Sequence, residues 1–201
     1  PGVVDGVAEI VAISHRATVG DLKKAVEESL RRRFLRLAAP DGRLLDNPTE
    51  SLELVGLQDG DEIAVVAQQP KVAAGGSAFA LWCGAGNEVV CWGDPNWGGD
   101  SSGVQDQLRN VQQICATGPA FAAILADGTV VTWGNPGSGG DSSGVQDQLR
   151  NVQQIYATFG AFAAILADGR VVTWGGRWCG GDSSGVQDQL RNVQQLILDS
   201  G

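Results

Sequence analysis

Trp92-Gly93, Trp133-Gly134 and Trp174-Gly175 stand 41 residues apart, and after four intervening residues each is followed by the same run, GGDSSGVQDQLRNVQQ, at 98–113, 139–154 and 180–195. A fixed period in this range signals a repeat architecture, in which each unit buries its apolar face only against its neighbours. Such arrays act through surfaces, so the repeat points to binding before chemistry.

Working outward from the Trp-Gly pairs, the second and third copies each hold a short strand ending near Ile114 or Ile155. An Ala-Phe-Ala-Ala-Ile-Leu strand follows at 120–125 or 161–166, then an Ala-Asp-Gly turn and a Val-Val-Thr-Trp-Gly strand. Asp-Gly between two apolar runs is a strong hairpin signal. Three antiparallel strands per period, joined by a glycine-rich stretch, describe one propeller blade. The units run over about 72–115, 116–156 and 157–197, the first being degenerate and one residue longer at its hairpin, as a capping repeat is. Trp92, Trp133 and Trp174 read as the structural core between blades. About three blades are too few for the roughly 4 to 8 of a closed ring, so the expected fold of 70–201 is an all-β partial propeller with edges to cover.

The Ala-Asp-Gly-x-Val-Val-Thr-Trp-Gly core at 126–134 and 167–175 resembles the repeat of the regulator of chromosome condensation family, and the short period is similar to its compact three-stranded propellers. The family's usual Gly-Gln-Leu-Gly is replaced by Gly-Gly-Asp-Ser. What the resemblance implies is a binding module. Some members act in nucleotide exchange and others sit in ubiquitin ligases; the exchange activity belongs to particular loops and is not carried over to this chain.

Between the second and third units 32 of 41 positions are identical, which directs attention to the differences. These include Gly118-Pro119 against Phe159-Gly160 and Asn135-Pro136-Gly137-Ser138 against Gly176-Arg177-Trp178-Cys179. In a three-stranded antiparallel blade the loops after strands one and three emerge at the same end. That end is the predicted partner-binding face, comprising Trp97, Asn135, Pro136, Phe159, Arg177 and Trp178. Aromatic residues and arginine are the usual interface anchors, although Trp97 and Trp178 packed onto neighbouring blades is the alternative. Asp100, Asp141 and Asp182, each before Ser-Ser-Gly, read as turn caps in preference to a row of cation ligands. The following Val-Gln-Asp-Gln-Leu-Arg reads as one helical turn or irregular chain.

The first seventy residues carry a different pattern. Thr18 caps a helix whose stripe is Val19, Leu22, Ala25, Val26 and Leu30. Alternation over 7–13 predicts a strand, and further strands are expected at 34–37, 43–45 and 62–67, the last entered through Asp59-Gly60. The basic run 31–33 suits the C-terminal end of the helix dipole, with contact to an anionic partner as the alternative. Thr18-Val19-Gly20-Asp21-Leu22-Lys23, Asp41-Gly42-Arg43-Leu44-Leu45 and 54–63 resemble the ubiquitin-like β-grasp domain, assigned to 1–69. That resemblance implies an α+β roll. Its recognition patch is weak, with Ala38 at the central position and Val66 at a second one, and the diglycine tail is missing, so conjugation is not expected.

With 14 basic and 23 acidic residues the net charge is −9, which disfavours nucleic acid or an anionic membrane surface as partner. No apolar run is long enough to span a bilayer, so the reading is a soluble chain of the cytoplasm or an organelle interior, peripheral to a membrane complex at most. The lack of any methionine reads as processing or truncation. Cys83 and Cys91 flank a hairpin and are either cross-linked or two half-buried thiols. With a single histidine, His15, no metal, cofactor or catalytic set is expected, and the chain is not read as an enzyme. The leading expectation is a non-catalytic interaction or scaffold module for a protein partner. The alternatives are an accessory structural subunit of a large assembly, organellar or photosynthetic for example, and a ubiquitin-pathway adaptor or ligase-associated component.

Overall fold

The computed structural model describes residues 10–14, 16–31, 35–83 and 89–194. The chain divides into two compact units, Pro1–Pro70 and Lys71–Gly201.

In the first unit α1 (Val19–Leu30) starts where expected because Thr18 and Asp21 form a capping box: the Asp21 N–H donates to Thr18 Oγ1 at 3.2 Å, and the Thr18 N–H to Asp21 Oδ2 at 2.9 Å. The helix ends at Arg31, which takes a left-handed conformation with φ of 50°. Val19, Leu22 and Val26 face inward onto Leu35 and Leu37 of β1 (Leu35–Ala38), with Leu45, Leu52 and Val55 closing the core. β1 pairs antiparallel with β2 (Ala64–Ala67), which begins two residues later than expected. At 43–45 only an isolated bridge forms, Ala38 to Leu44. The strand expected over 7–13 is not found at 10–13, which is irregular; 7–9 lie outside the described residues, as does His15. Its alternation is nonetheless expressed: Val11 and Ile13 pack on the core while Ile10 is exposed. Without a strand to pair with, period-two burial gives an extended strap instead of a ladder.

Among the described residues the second unit holds three three-stranded antiparallel sheets. The first blade comprises β3 (Lys71–Ala74), β4 (Ala78–Trp82) and β5 (Val89–Gly93). β6 (Val111–Ala116), β7 (Ala120–Leu125) and β8 (Val130–Gly134) form the second. The third holds β9 (Val152–Ala157), β10 (Ala161–Leu166) and β11 (Val171–Gly175). The second and third blades thus open on the strand that the sequence frame assigned to the end of the preceding unit. The hairpin turns are the predicted Asp-Gly pairs, with Gly128 and Gly169 at φ of 76° and 79°. The first strands β3, β6 and β9 neighbour one another, so they line the side on which the blades converge.

Blade faces interlock by period-two burial. Phe121 and Phe162 are fully buried and stack on Trp133 and Trp174 at centroid separations of 5.3 and 5.2 Å. Burying one such phenylalanine stabilises the unit by about 2 to 3 kcal/mol. Each indole also reaches into the preceding blade: Trp133 Nε1 donates to the Gly98 carbonyl at 3.1 Å, and Trp174 Nε1 to that of Gly139 at 3.0 Å. Trp92 departs from the expectation. It stacks on Phe79 at 5.2 Å, but with no blade before it among the described residues it is 44% exposed. The first blade therefore does not present the polar outer face of a capping repeat.

The cysteine option resolves through register. Ala80, not Cys83, stands opposite Cys91, a three-residue offset that puts the two thiols beyond disulfide reach. No disulfide joins them.

Candidate functional site

The segment after each third strand is a short 3-10 turn: Pro95–Trp97, Pro136–Ser138 and Arg177–Cys179. Each closes on a glycine with φ near +90 to +100°, namely Gly98, Gly139 and Gly180. L side chains rarely adopt that conformation, which accounts for the first glycine of each pair; a Cβ on the second, Gly99, Gly140 or Gly181, would lie 2.5, 2.4 or 2.5 Å from the backbone of Gly93, Gly134 or Gly175.

These turns are tied to the loop between the first and second strands of the same blade. The Asn135 N–H donates to the Pro119 carbonyl at 2.8 Å, and the Gly176 N–H to that of Gly160 at 2.7 Å. Thr117 and Thr158 reinforce the junction, their hydroxyls donating to the Ser138 and Cys179 carbonyls at 3.3 and 2.8 Å. The two variable loops of a blade therefore do emerge at one end. Neighbouring blades are linked there as well: the Gly76 N–H donates to the Gly118 carbonyl, and the Gly118 N–H to that of Phe159 at 2.8 Å. The result is a continuous backbone-bonded rim.

The predicted face residues divide into two groups on this rim. Trp178 is 96% exposed and Phe159 75%, and their loops are joined by the Thr158 and Gly176 bonds. Asn135, Pro136 and Arg177 are exposed beside them. Arg177 pairs with Asp182 at 3.1 Å, a solvent-facing ion pair worth little to stability. Trp97 is different. It sits one position later in its turn than Trp178 does, equivalent to Ser138 and Cys179, and is half-buried against Gly76 and the first interface core. A Cβ at Gly76 would lie 2.8 Å from the Trp97 ring, so the glycine makes room for it.

Beneath the rim the invariant run holds itself together. Ser142 Oγ donates to Gln146 Oε1 at 2.7 Å, and Gln146 Nε2 donates to the Val130 carbonyl at 2.9 Å. The same Ser-Gln-carbonyl relay recurs at Ser101 with Gln105 and at Ser183 with Gln187. This stretch, expected as one helical turn or irregular chain, forms 3-10 turns at Ser102–Val104, Gln146–Gln148 and Ser184–Gln189. The fixed Ser-x-x-x-Gln spacing was the available signal for the relay.

Asp100, Asp141 and Asp182 each accept the N–H two residues on, from Ser102, Ser143 and Ser184, at 2.9, 2.9 and 3.1 Å. Those serine contacts hold the three carboxyls below the usual carboxylate range. The aspartates are thereby accounted for as turn caps. Burial pushes the Cys91 and Cys115 thiols up, away from the thiolate form that a nucleophile needs. The arrangement offers exposed aromatic and polar groups on a braced rim.

A braced array of three-stranded antiparallel blades, with the variable loops at one end, is the architecture of a partial propeller. No family model matches the chain, and no curated protein does. Solved structures do resemble it. Yeast RCC1 (Prp20), seen bound to Kap60, is 19% identical with a TM-score of 0.41, over 55% of this chain and 30% of that one. Human WBSCR16 is 18% identical with a TM-score of 0.39, over 54% and 34%. The CRINKLY WD40 ectodomain of the Arabidopsis thaliana receptor kinase ACR4 is 19% identical with a TM-score of 0.41, over 63% and 44%. The matched part therefore spans 30 to 44% of the length of these proteins. Among the described residues no helix is long and apolar enough to cross a membrane.

Proposed function

We propose that this chain is a non-catalytic interaction or scaffold module whose second unit presents one loop face, centred on Trp178 and Phe159 with Arg177, Asn135 and Pro136, to a protein partner. The observation that carries this reading is the pairing of extremes: the loops that differ between nearly identical repeats hold the most exposed aromatic side chain of the unit, on a rim fixed by backbone hydrogen bonds. A large rigid aromatic on a pre-organised loop makes contact at low entropic cost. Trp97 belongs to the scaffold beneath this face.

The test is quantitative affinity capture with the wild-type chain beside the triple variant Phe159→Ala, Arg177→Ala, Trp178→Ala, both checked for an unchanged unfolding midpoint. Selective loss of the captured proteins supports the reading; an identical capture profile overturns it.

The first unit is proposed as a ubiquitin-like β-grasp domain, supported by the capped helix packed on the β1–β2 pair. A ubiquitin-pathway role has little support. Ala38 is buried, and Val66 alone of the two patch positions reaches the surface. The accessory-subunit reading is favoured by the open apolar sheet face of the first blade.

A further inference from the structure

The two ends of the blade array are open in complementary ways. On the face of the first blade that looks away from the second, Phe79 is 42% exposed beside Trp92, and Val72 and Val90 are exposed with them. In the second and third blades the same face is buried, each receiving a glycine turn from the blade before. The fit is close: a Cβ at Gly98 would lie 2.5 Å from the Phe121 ring, and one at Gly139 the same distance from Phe162.

Among the described residues, the far side of the third blade carries the matching half, uncovered. Nothing lies within 4 Å of a Cβ built on Gly180. Leu108 and Leu149 are fully buried in the two internal joints, whereas their counterpart Leu190 is only half-buried. Val104 and Val145 pack into those joints, while Val186 is 47% exposed. One chain thus holds both halves of a joint that occurs twice inside it, and the run 180–195 is identical to the 98–113 and 139–154 runs that make the internal joints.

We propose that the occupant is a second copy of this chain, the Gly180 turn of each copy seating on the Phe79–Trp92 face of the other. Reciprocal joints bring the six described blades of two copies into one ring, within the roughly 4 to 8 at which propellers close, whereas the nine of three copies would exceed it. A single joint would leave one face of each kind open and grow into a filament. Closure at two copies leaves neither open. This inference rests on the blade faces and is independent of the loop face.

Native mass spectrometry and sedimentation velocity of the full chain across the micromolar range test it. The expected species has twice the chain mass. The head variant Phe79→Glu with Trp92→Glu weakens the association about a hundredfold or more, and the tail variant Val186→Glu weakens it strongly. Val186→Glu alters an exposed position, so an unchanged unfolding midpoint keeps the test meaningful if the head variant folds poorly. Mixing the two variants yields a mixed pair held by its one intact joint, between the tail of the head variant and the head of the tail variant. A wild-type monomer throughout overturns the proposal and leaves the face to another protein or to further repeats of a longer chain. A pair that survives both variants overturns it too, and a ladder of larger species overturns closure.

Discussion

Trp92 and Trp133 are the same residue in the same strand, each stacked on a phenylalanine at nearly the same separation, 5.2 against 5.3 Å, yet one is 44% exposed and the other 5%. Trp133 gains a glycine carbonyl and an apolar wall from the blade before it. Among the described residues the first blade supplies both for the second and receives neither. In an array whose stability is a sum of unit and nearest-neighbour terms, burial belongs to the joint and not to the residue.

The comparison breaks most sharply on truncation. Trp133→Ala or Trp174→Ala removes a buried ring and its indole hydrogen bond and should cost about 3 to 5 kcal/mol. Trp92→Ala, already solvated on one side, should cost about 1 kcal/mol. Urea unfolding at a concentration where a single copy is present measures both. Equal losses under those conditions would mean that Trp92 is held by another part of the same chain.

The glycine turns sharpen the same contrast at the opposite face. Gly139 and Gly180 have nearly equal φ, 100° and 99°, so a side chain strains both alike, by about 1 to 2 kcal/mol. Only at Gly139 does the added Cβ also meet a ring at 2.5 Å. Gly139→Ala should therefore destabilise by about 1 to 3 kcal/mol more than Gly180→Ala, the excess being overpacking. A matched loss in the two variants would show that backbone strain alone fixes the glycine.

What the sequence disclosed and what it hid divide along this line. The period, the Asp-Gly hairpins, the β7 and β10 strands and the Thr18 cap were legible because each is a local signal. The coarse blade architecture followed from these. The exposure of Trp92 was not legible, since it depends on a missing neighbour and three identical Trp-Gly pairs look equivalent on paper. The inequivalence of Trp97 and Trp178 was within reach: aligning on the Gly-Gly pair places Trp97 against Cys179, not Trp178. The alternation at 10–13 reported burial correctly but not pairing, because period two describes which side faces the core and says nothing of a hydrogen-bonded partner.

The polar relay offers a smaller contrast. Gln146 bridges Ser142 to the Val130 carbonyl in a partly buried setting, while Gln187 makes the equivalent bonds at the open end, where water competes for its partners. Gln146→Ala should cost about 1 kcal/mol and Gln187→Ala less, read from the shift in urea midpoint at constant slope.

The smallest expected effect concerns the exposed caps Asp100, Asp141 and Asp182. The serine N–H and hydroxyl groups favour the ionised carboxylate, so each folded-state pKa lies below the unfolded value of about 4. The sign follows: the caps contribute stability that is complete above that unfolded value and is lost as pH falls through the lower folded pKa. Replacing all three by Asn keeps an acceptor oxygen for the serine N–H while removing the titration. The variant should then lose stability less steeply than the wild type below about pH 4, in acid titrations followed by circular dichroism. Because the three sites lie in three blades yet share one geometry, their contributions should be nearly equal in single variants. An Asp182 that counts for more than the others would assign the excess to Arg177, which pairs with it and has no counterpart in the other two turns.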